Sequence, residues 1–319
     1  MRRAARRTVK CLVLGGGGFI GSHVVDRLLD AGHDVRIFER PRVPRYRTFP
    51  RGRVEWIEGD FQNAAVVRPT LDGIDTVVHL ISTTLPKSSN DDPIFDVQSN
   101  VVSTLRLCDF AVEAGVKRMV FISSGGTVYG VPRHLPIRED HPTDPRVSYG
   151  IVKLAIEKYL ALYHEQRGLG YVVLRVANPF GERQRVDVAQ GAVAVFIDRA
   201  LRGVPIEIWG DGSVVRDYIY IQDVADAFLR AVEYEGAPCV LNIGSGVGHS
   251  LNDLVARLES MLSTKVACRY LPARGIDVPR NVLDIARARE VLRWSPSVSL
   301  DDGIARTLEW TRRSGEGAT

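Results

Sequence analysis

The sequence predicts an α/β fold, in which a doubly wound parallel sheet of about seven strands precedes a smaller C-terminal lobe. Short apolar runs alternate with amphipathic stretches from residue 9 to about residue 176, the pattern of alternating strands and helices. A run of glycines follows the first apolar run, and glycine and proline break up the chain beyond Asn178. The 319 residues are 45% hydrophobic, which is ample for a buried core.

The apolar runs predict strands and the amphipathic stretches predict helices, with Gly32 and Gly115 as helix stops. The predicted strands are Lys10–Leu14, Asp34–Glu39, Val54–Gly59, Thr76–Leu80, Arg118–Ser123 and Tyr171–Val176, and the predicted helices are Gly21–Ala31, Val101–Ala114 and Tyr149–Arg167.

These elements divide the chain into regions. We expect residues 1–8 to form a disordered basic tail, 9–177 a dinucleotide-binding domain and 314–319 a disordered tail. Residues 178–313 form mainly a ligand-binding lobe, with some segments returning to the first domain.

Composition excludes several classes of function. The net charge of +4 comes partly from basic residues among the first ten, so the rest of the chain is near neutral and nucleic-acid binding is not indicated. No segment approaches the roughly 18 apolar residues of a membrane span. Cys11, Cys108, Cys239 and Cys268 lack metal-type spacing, which predicts reduced thiols, no metal site and a cytoplasmic protein.

The glycine run from Gly15 to Gly21 predicts a dinucleotide-binding loop, because it follows a predicted strand and opens a predicted helix. It satisfies both Gly-x-Gly-x-x-Gly and Gly-x-x-Gly-x-x-Gly, so the spacing leaves the pattern open. Glu39 ends the next strand, where a carboxylate can accept hydrogen bonds from the adenosine ribose, which favours NAD. Arg40, Arg42 and Arg45 follow, and arginines there could instead pair with the extra phosphate of NADP.

Tyr149 and Lys153 are the candidate catalytic pair. Their spacing puts both side chains on one face of a helix, and a neighbouring ammonium is expected to lower the pKa of the phenol. Such a tyrosine can act as a base near neutral pH.

From residue 9 to about residue 310 the chain resembles the extended short-chain dehydrogenase/reductase superfamily, and within it the nucleotide-sugar epimerases and dehydratases of the UDP-glucose 4-epimerase type. Besides the glycine loop and the Tyr149/Lys153 pair, the resemblance rests on the motifs Gly32-His33-Asp34-Val35, Glu58-Gly59-Asp60, Val78-His79-Leu80, Asn100-Val101, Ser123 to Gly130, Leu174 to Pro179 and Val215 to Ile219.

The resemblance implies a Rossmann-type fold, a homodimer and an NAD-dependent C4 epimerase of a nucleoside-diphosphate sugar. Tyr149 would take the proton of the sugar 4-hydroxyl, giving a 4-keto intermediate that is reduced on its other face. The implied NAD contacts are Gly15, Gly18, Phe19, Ile20, Gly21, Glu39, Arg40, Asp60, Phe61, Leu80, Ile81, Ser82, Asn100, Tyr149 and Lys153. The implied substrate contacts are Thr127, Asn178, Arg216, Arg274 and Asn281, with the arginines and Asn178 at the diphosphate. A UDP or dTDP carrier is expected, and Asn281 permits an N-acetylhexosamine or a smaller sugar.

One position departs from the family pattern. Gly125 stands where relatives carry the third catalytic hydroxyl, and we expect Ser124 to supply it, with Ser123 and Thr127 as the other candidates. Gly126 and Thr127 replace the Asp-Glu pair of the dehydratases, so 4,6-dehydration lacks a proton carrier.

Two other functions stay open on the sequence alone. An NADPH-dependent 4-ketoreductase would use the same pair, and the arginines after Glu39 favour it. A non-catalytic dinucleotide-binding subunit is favoured by Gly125 and opposed by the intact Tyr149 and Lys153.

Overall fold

The structure is a computed structural model that describes residues 8–43, 49, 52–86, 88–186, 191–273 and 278–316, with side chains in the last helix to residue 313. Most of the predicted basic tail, Arg45 and Arg274 lie outside the described residues.

Strands and helices alternate through the first half of the chain. The strands are β1 (Lys10–Leu14), β2 (Asp34–Glu39), β3 (Val54–Glu58), β4 (Thr76–His79), β5 (Arg118–Ser124), β6 (Gly170–Val176), β7 (Asn178–Phe180), β8 (Ile206–Trp209), β9 (Val215–Tyr220), β10 (Cys239–Ile243), β11 (Gly248–Ser250), β12 (Cys268–Leu271) and β13 (Arg280–Asn281). The helices are α1 (Phe19–Asp30), α2 (Ala64–Val67), α3 (Pro93–Asp96), α4 (Ser103–Glu113), α5 (Ser148–Arg167), α6 (Ala192–Leu201), α7 (Ile221–Glu233), α8 (Leu251–Leu262), α9 (Ala286–Leu292) and α10 (Leu300–Glu316).

The main sheet has seven strands in the order β10-β6-β5-β4-β1-β2-β3. The pairs β1/β2, β1/β4, β2/β3 and β4/β5 are parallel. The chain therefore runs outward from β1 in one direction and then returns to the other side of β1, the doubly wound topology that binds dinucleotides where the strand order reverses. The predicted fold class is confirmed, and the predicted strands match β1 to β6 to within one residue at each end.

The predicted helix over 101–114 differs from the structure at its beginning. Residues Val97–Val102 form a π-helical turn that leads into α4. Asn100 lies in this turn, and its amide group bonds to its surroundings rather than only to helix neighbours. Single π-helical turns of this kind are found most often at functional sites.

The chain divides into two compact units, the first comprising residues 1–128, 145–175 and 225–241 and the second comprising 129–144, 176–224 and 242–319. The division at 175/176 lies next to the predicted boundary at 177. Residues 129–144, which the sequence places in the first domain, cluster with the second unit. Ile137 exchanges backbone hydrogen bonds with Val282 and Asp284 of that unit.

The second unit contains two small sheets. In one, β9 pairs with β11, β13 and β7, and in the other β8 pairs with β12. At the end of this unit α10 continues to Glu316, past the predicted start of a disordered tail at residue 314, and residues 317–319 lie outside the described residues. An ion pair between Glu309 and Arg313 on successive turns supports the end of α10. In the part of the chain that the structure describes, no helix is both long and apolar enough to cross a bilayer.

Candidate active site

The glycine run forms a tight loop between β1 and α1. Gly15 adopts a φ of +83°, and its carbonyl accepts a hydrogen bond from the Gly18 N–H at 3.1 Å. A Cβ on Gly21 would lie 2.0 Å from that same carbonyl oxygen, whereas a Cβ on Gly16 would meet only side chains. The loop therefore requires glycine at 15 and 21, which favours the Gly-x-x-Gly-x-x-Gly reading.

The loop has the features that a pyrophosphate needs. Gly18 is the N-cap residue of α1 and has no side chain with which to cap the first N–H groups of the helix. A Cβ on Gly18 would lie 3.4 Å from the Gly15 carbonyl, and without one the surface of the loop stays open. The N–H groups of a first helical turn and the positive end of the helix dipole favour a phosphate at this position.

Glu39 lies beside the loop, as the sequence predicts for the residue that binds the adenosine ribose. One of its carboxylate oxygens accepts the Gly17 N–H at 3.0 Å and the other accepts the Arg40 N–H at 3.0 Å. Burial raises the pKa of Glu39, and these backbone hydrogen bonds oppose the rise. A buried carboxylate at the end of β2 fits a ribose diol and disfavours a ribose phosphate, so the residues present fit NAD.

The other predicted cofactor residues differ in what their side chains can reach. Ile81 lies within 3.4 Å of the position of a Cβ on Gly15, so the segment from Leu80 to Ser82 borders the loop. Asp60 follows β3 and accepts the Gln62 N–H at 2.9 Å. The ring of Phe61 is buried in the core, with its centroid 5.3 Å from that of His79, so any contact with an adenine would come from its backbone.

A neighbouring segment caps the first turn of α5, which carries Tyr149. Val147 at the N-cap position provides no side-chain hydrogen bond. Instead, the Asn90 amide oxygen accepts the Ser148 N–H at 2.9 Å and the Ser89 hydroxyl accepts the Tyr149 N–H at 3.0 Å. These capping groups fix the backbone at Tyr149, and the sequence did not predict them because they come from a distant segment.

Lys153 lies one turn after Tyr149 and is 3% exposed. Its Nζ donates to the Ile122 carbonyl at 3.0 Å and lies 5.5 Å from the centroid of the Tyr149 ring. Burial lowers its pKa to about 8, and Asp96 and Glu157 oppose this fall. The predicted proximity of the two side chains is thus present.

The sequence predicts that Lys153 lowers the pKa of Tyr149. This prediction is wrong for the protein without a bound cofactor. Burial raises the pKa of Tyr149 to about 12, and the negative charge of Asp96 adds to the rise. Desolvation disfavours the charged phenolate, and the Asp96 carboxylate disfavours it further. A phenolate at this position needs a further positive charge.

A buried ion pair anchors α5 one turn beyond Lys153. Glu157 and Arg175 form a two-pronged contact with N–O distances of 2.6 to 3.2 Å, and their side chains are 3% and 6% exposed. The Ser123 hydroxyl donates to the same carboxylate at 2.5 Å. Ser123 is therefore occupied in the core and is not available to a substrate. The spacing of four residues between Lys153 and Glu157 could have predicted that Glu157 lies on the same face of the helix as the pair.

The two remaining hydroxyl candidates are Ser124 and Thr127. Since Ser123 faces α5, the alternation of side chains along a strand directs Ser124 to the opposite face of β5. Thr127 packs against α5, because a Cβ on Gly150 would lie 3.2 Å from the Thr127 Cβ. The Thr127 hydroxyl oxygen is buried and has no hydrogen-bond partner among the described residues.

In the second unit, β9 and its neighbours bring together the predicted substrate residues Asn178, Arg216 and Asn281. Asn281 on β13 is the register partner of Arg216, and Asn178 on β7 is the partner of Tyr218. The Arg216 guanidinium donates to the carbonyls of Val215 and Val278. Three of the predicted residues thus share one sheet, while Arg274 lies outside the described residues.

Asp217, next to Arg216, organises this sheet. Its carboxylate is fully buried and accepts hydrogen bonds from the N–H and hydroxyl of Ser245 at 2.7 Å and from the Gly246 N–H at 3.1 Å. Burial raises the pKa of Asp217, and these donors oppose the rise. Asp217 thus holds the strand that carries Arg216, and these hydrogen bonds occupy its carboxylate oxygens.

Comparison with known proteins identifies the family. Residues 11–244 match the NAD dependent epimerase/dehydratase family. The chain belongs to this family. It is 37% identical to a UDP-glucose 4-epimerase of Mycolicibacterium smegmatis, covering 97% of this chain and 100% of the relative.

Two solved structures extend the likeness to the fold. The UDP-glucose 4-epimerase of Thermotoga maritima with UDP-glucose has a TM-score of 0.91 at 36% identity, covering 96% of this chain and 99% of the other. The UDP-glucose 4-epimerase of Thermus thermophilus in complex with NAD has a TM-score of 0.88 at 32% identity, covering 95% and 99%. The predictions of an extended short-chain dehydrogenase/reductase, of NAD as cofactor and of an NAD-dependent nucleotide-sugar 4-epimerase are confirmed.

Proposed function

We propose that this enzyme inverts C4 of a UDP-linked hexose, with Tyr149 as the base and Lys153 as its charge partner. The observation that carries this proposal is the placement of both residues on one turn of α5 in the unit that also holds the dinucleotide loop and Glu39. We assign the first unit to NAD and the second unit, with Asn178 and Arg216, to the sugar nucleotide.

The reaction requires Tyr149 to remove the 4-hydroxyl proton and later to return it. NAD, when bound, supplies the oxidant for C4 and a positive charge on its nicotinamide ring. The Lys153 ammonium contributes a second charge, and both favour the phenolate that burial alone opposes. Arg216 would neutralise the diphosphate, since a guanidinium meets phosphate oxygens two at a time. Asn281 would line the hexose pocket, and it leaves room that a tyrosine would fill.

Incubation of the purified protein with UDP-glucose, UDP-N-acetylglucosamine, UDP-glucuronate and a dTDP-6-deoxyhexose, followed by NMR, tests this function. The expected product is the C4 epimer of a UDP-hexose, formed without added nicotinamide and without net consumption of it. Turnover that depends on stoichiometric reduced cofactor would instead indicate a ketoreductase. If none of the four sugars changes while bound NAD is present, the proposal is wrong.

We further propose that Thr127, rather than Ser124, supplies the hydroxyl that is missing at Gly125. Its buried oxygen lacks a partner among the described residues, and it lies against the residue that follows Tyr149. An unpaired buried hydroxyl is costly, and a sugar hydroxyl would satisfy it.

Thr127→Val is therefore expected to lower kcat by about tenfold to a hundredfold, the effect of losing one buried hydrogen bond to a substrate. Valine keeps the shape of threonine, so folding should be unchanged. Ser124→Ala is the matched control and is expected to stay within about twofold of the wild type. Steady-state kinetics decide between them, because the reverse order of effects would return the role to Ser124.

A homodimer is also proposed, and an apolar stripe along α5 supports it. Ile151, Tyr159 and Leu162 are 53%, 39% and 39% exposed, and their spacing puts them on one helical face. Val102, at the start of α4, adds to the exposed apolar surface. Such a stripe suits a second copy of the chain, and sedimentation equilibrium would show whether the particle has the mass of two chains.

A further inference from the structure

A buried carboxylate contacts the first turn of α5 and takes no part in the proposed reaction. Asp96, the last residue of α3, is fully buried, and no sequence motif points to it. Its carboxylate accepts hydrogen bonds from the Ser148 hydroxyl at 2.7 Å, the Thr84 hydroxyl at 2.6 Å and the Asn100 amide at 2.9 Å. All of the partners that this carboxylate has among the described residues are uncharged.

A buried charge with uncharged partners needs a countercharge nearby, because burial penalises an isolated ion heavily. The other buried carboxylate of this region, Glu157, is neutralised by the two-pronged contact with Arg175. His79, on the neighbouring strand, has its pKa lowered to about 3 by burial and by the Lys153 charge, so it is neutral. Among the described buried ionisable groups of α3, α5 and β4, Lys153 is thus the cation that lacks an ion-pair partner. Asp96 is the anion that lacks one.

Asp96 is also linked to Tyr149 through the backbone of the neighbouring Ser148. Ser148, which donates to Asp96, directly precedes Tyr149 in the first turn of α5. The bond links α3 to this turn across 52 residues of sequence. Together with Ser89 and Asn90 it holds the backbone from which the Tyr149 side chain projects.

We propose that Asp96 is a positioning residue for the catalytic pair: through Ser148 it fixes the first turn of α5, and its carboxylate is the countercharge of the Lys153 ammonium. This role rests on the proposed function of Tyr149 as base. The hydrogen bond to Ser148 places the Asp96 carboxylate against the residue before Tyr149. Its negative charge acts on both members of the pair, because it raises the pKa of Tyr149 and that of Lys153.

The test replaces the charge and keeps the shape. Asp96→Asn in the NAD-loaded protein removes the negative charge that favours protonation of both members of the pair. Tyr149 should therefore ionise at a pH lower by about one unit. Because the pKa of Lys153 should fall as well, the acid and alkaline limbs of the pH profile of kcat should both move to lower pH. Tyrosinate absorbance, with Tyr149→Phe as the blank, reports the ionisation without any substrate.

Ser148→Ala provides the complementary variant, because it breaks the hydrogen bond and leaves the charge. It should lower kcat by about tenfold with an unshifted pH profile. Asp96→Glu retains the charge, so its profile should stay at the wild-type pH. If Asp96→Asn does not fold, Asp96→Leu takes its place in the same titration.

Each half of the proposal can fail separately. An unshifted tyrosinate titration in a folded variant without the carboxylate overturns the countercharge role. Wild-type kcat in Ser148→Ala overturns the positioning role. A wild-type protein that shows no epimerisation would instead overturn the proposed function, while the titration would still report on Asp96.

Discussion

Tyr149→Phe is expected to lower kcat by about 10²- to 10⁴-fold while the protein folds and binds NAD as before. The substitution removes one oxygen, which is the atom that would exchange a proton with the sugar 4-hydroxyl. The aromatic ring remains, so the packing of the first turn of α5 is retained. Kinetics on the UDP-hexose that NMR identifies, together with thermal unfolding and the bound NAD content, measure the three quantities.

Tyr159→Phe is the matched control for that experiment. Tyr159 lies on the same helix and is partly exposed, and nothing in the proposed mechanism uses its hydroxyl. Its variant should therefore keep kcat within about twofold of the wild type. If Tyr149→Phe retained wild-type turnover, Tyr149 would not be the base, and the assignment of Lys153 as its charge partner would lose its basis.

The sheet was predictable from the sequence because its signal is local. The central strands are short apolar runs, and residues of β1 such as Leu12 and Val13 are fully buried on both faces of a parallel sheet. The outer strands β2 and β3 alternate apolar with charged residues. The dinucleotide loop was equally local, since the glycines, the strand before them and the helix after them are contiguous. The spacing could not decide between the two glycine patterns, because that choice depends on how closely Gly21 approaches Gly15 in space.

The parts that the sequence missed depend on contacts between distant segments. Segment 129–144 has no apolar period of its own, and it joins the second unit through backbone bonds of Ile137. Ser89 and Asn90 cap α5 from about 60 residues away in sequence. Asp96 likewise contacts α5 at Ser148 from 52 residues away in sequence. A pair such as Tyr149 and Lys153 is visible in a sequence because one helix turn joins its members.

The electrostatics of the pair were the least predictable feature. An i, i+4 spacing shows that an ammonium lies near a phenol, but it says nothing about how deeply both are buried. Here desolvation raises the pKa of Tyr149 and lowers that of Lys153, so each group is pushed toward its neutral form. The proposed role of Tyr149 as base therefore requires further positive charge to offset that burial, and the nicotinamide ring of bound NAD would supply it.

Gly21→Ala is expected to abolish tight NAD binding and to destabilise the first unit. The new Cβ would lie 2.0 Å from the Gly15 carbonyl oxygen and 2.8 Å from the Gly16 Cα, and both are backbone atoms that side-chain rotation cannot move. The loop and the start of α1 must separate, which misplaces the N–H groups that would hold the pyrophosphate. We expect the Kd for NAD to rise by about a hundredfold, and the free energy of unfolding to fall by about 1–3 kcal/mol.

Two further glycine variants separate these effects. Gly32→Ala, at the other end of α1, meets no neighbouring atom but must adopt a φ of +87°, so it should cost about 1 kcal/mol of stability and leave NAD affinity unchanged. Gly18→Ala has an ordinary backbone conformation and a nearest contact of 3.4 Å, so it should keep its stability and weaken NAD binding where the chain approaches the pyrophosphate. Calorimetric titration with NAD and denaturant unfolding measure both quantities for each variant. Wild-type NAD affinity in Gly21→Ala would contradict the assignment of this loop to the pyrophosphate, because the new Cβ must displace the Gly15 carbonyl from its present position.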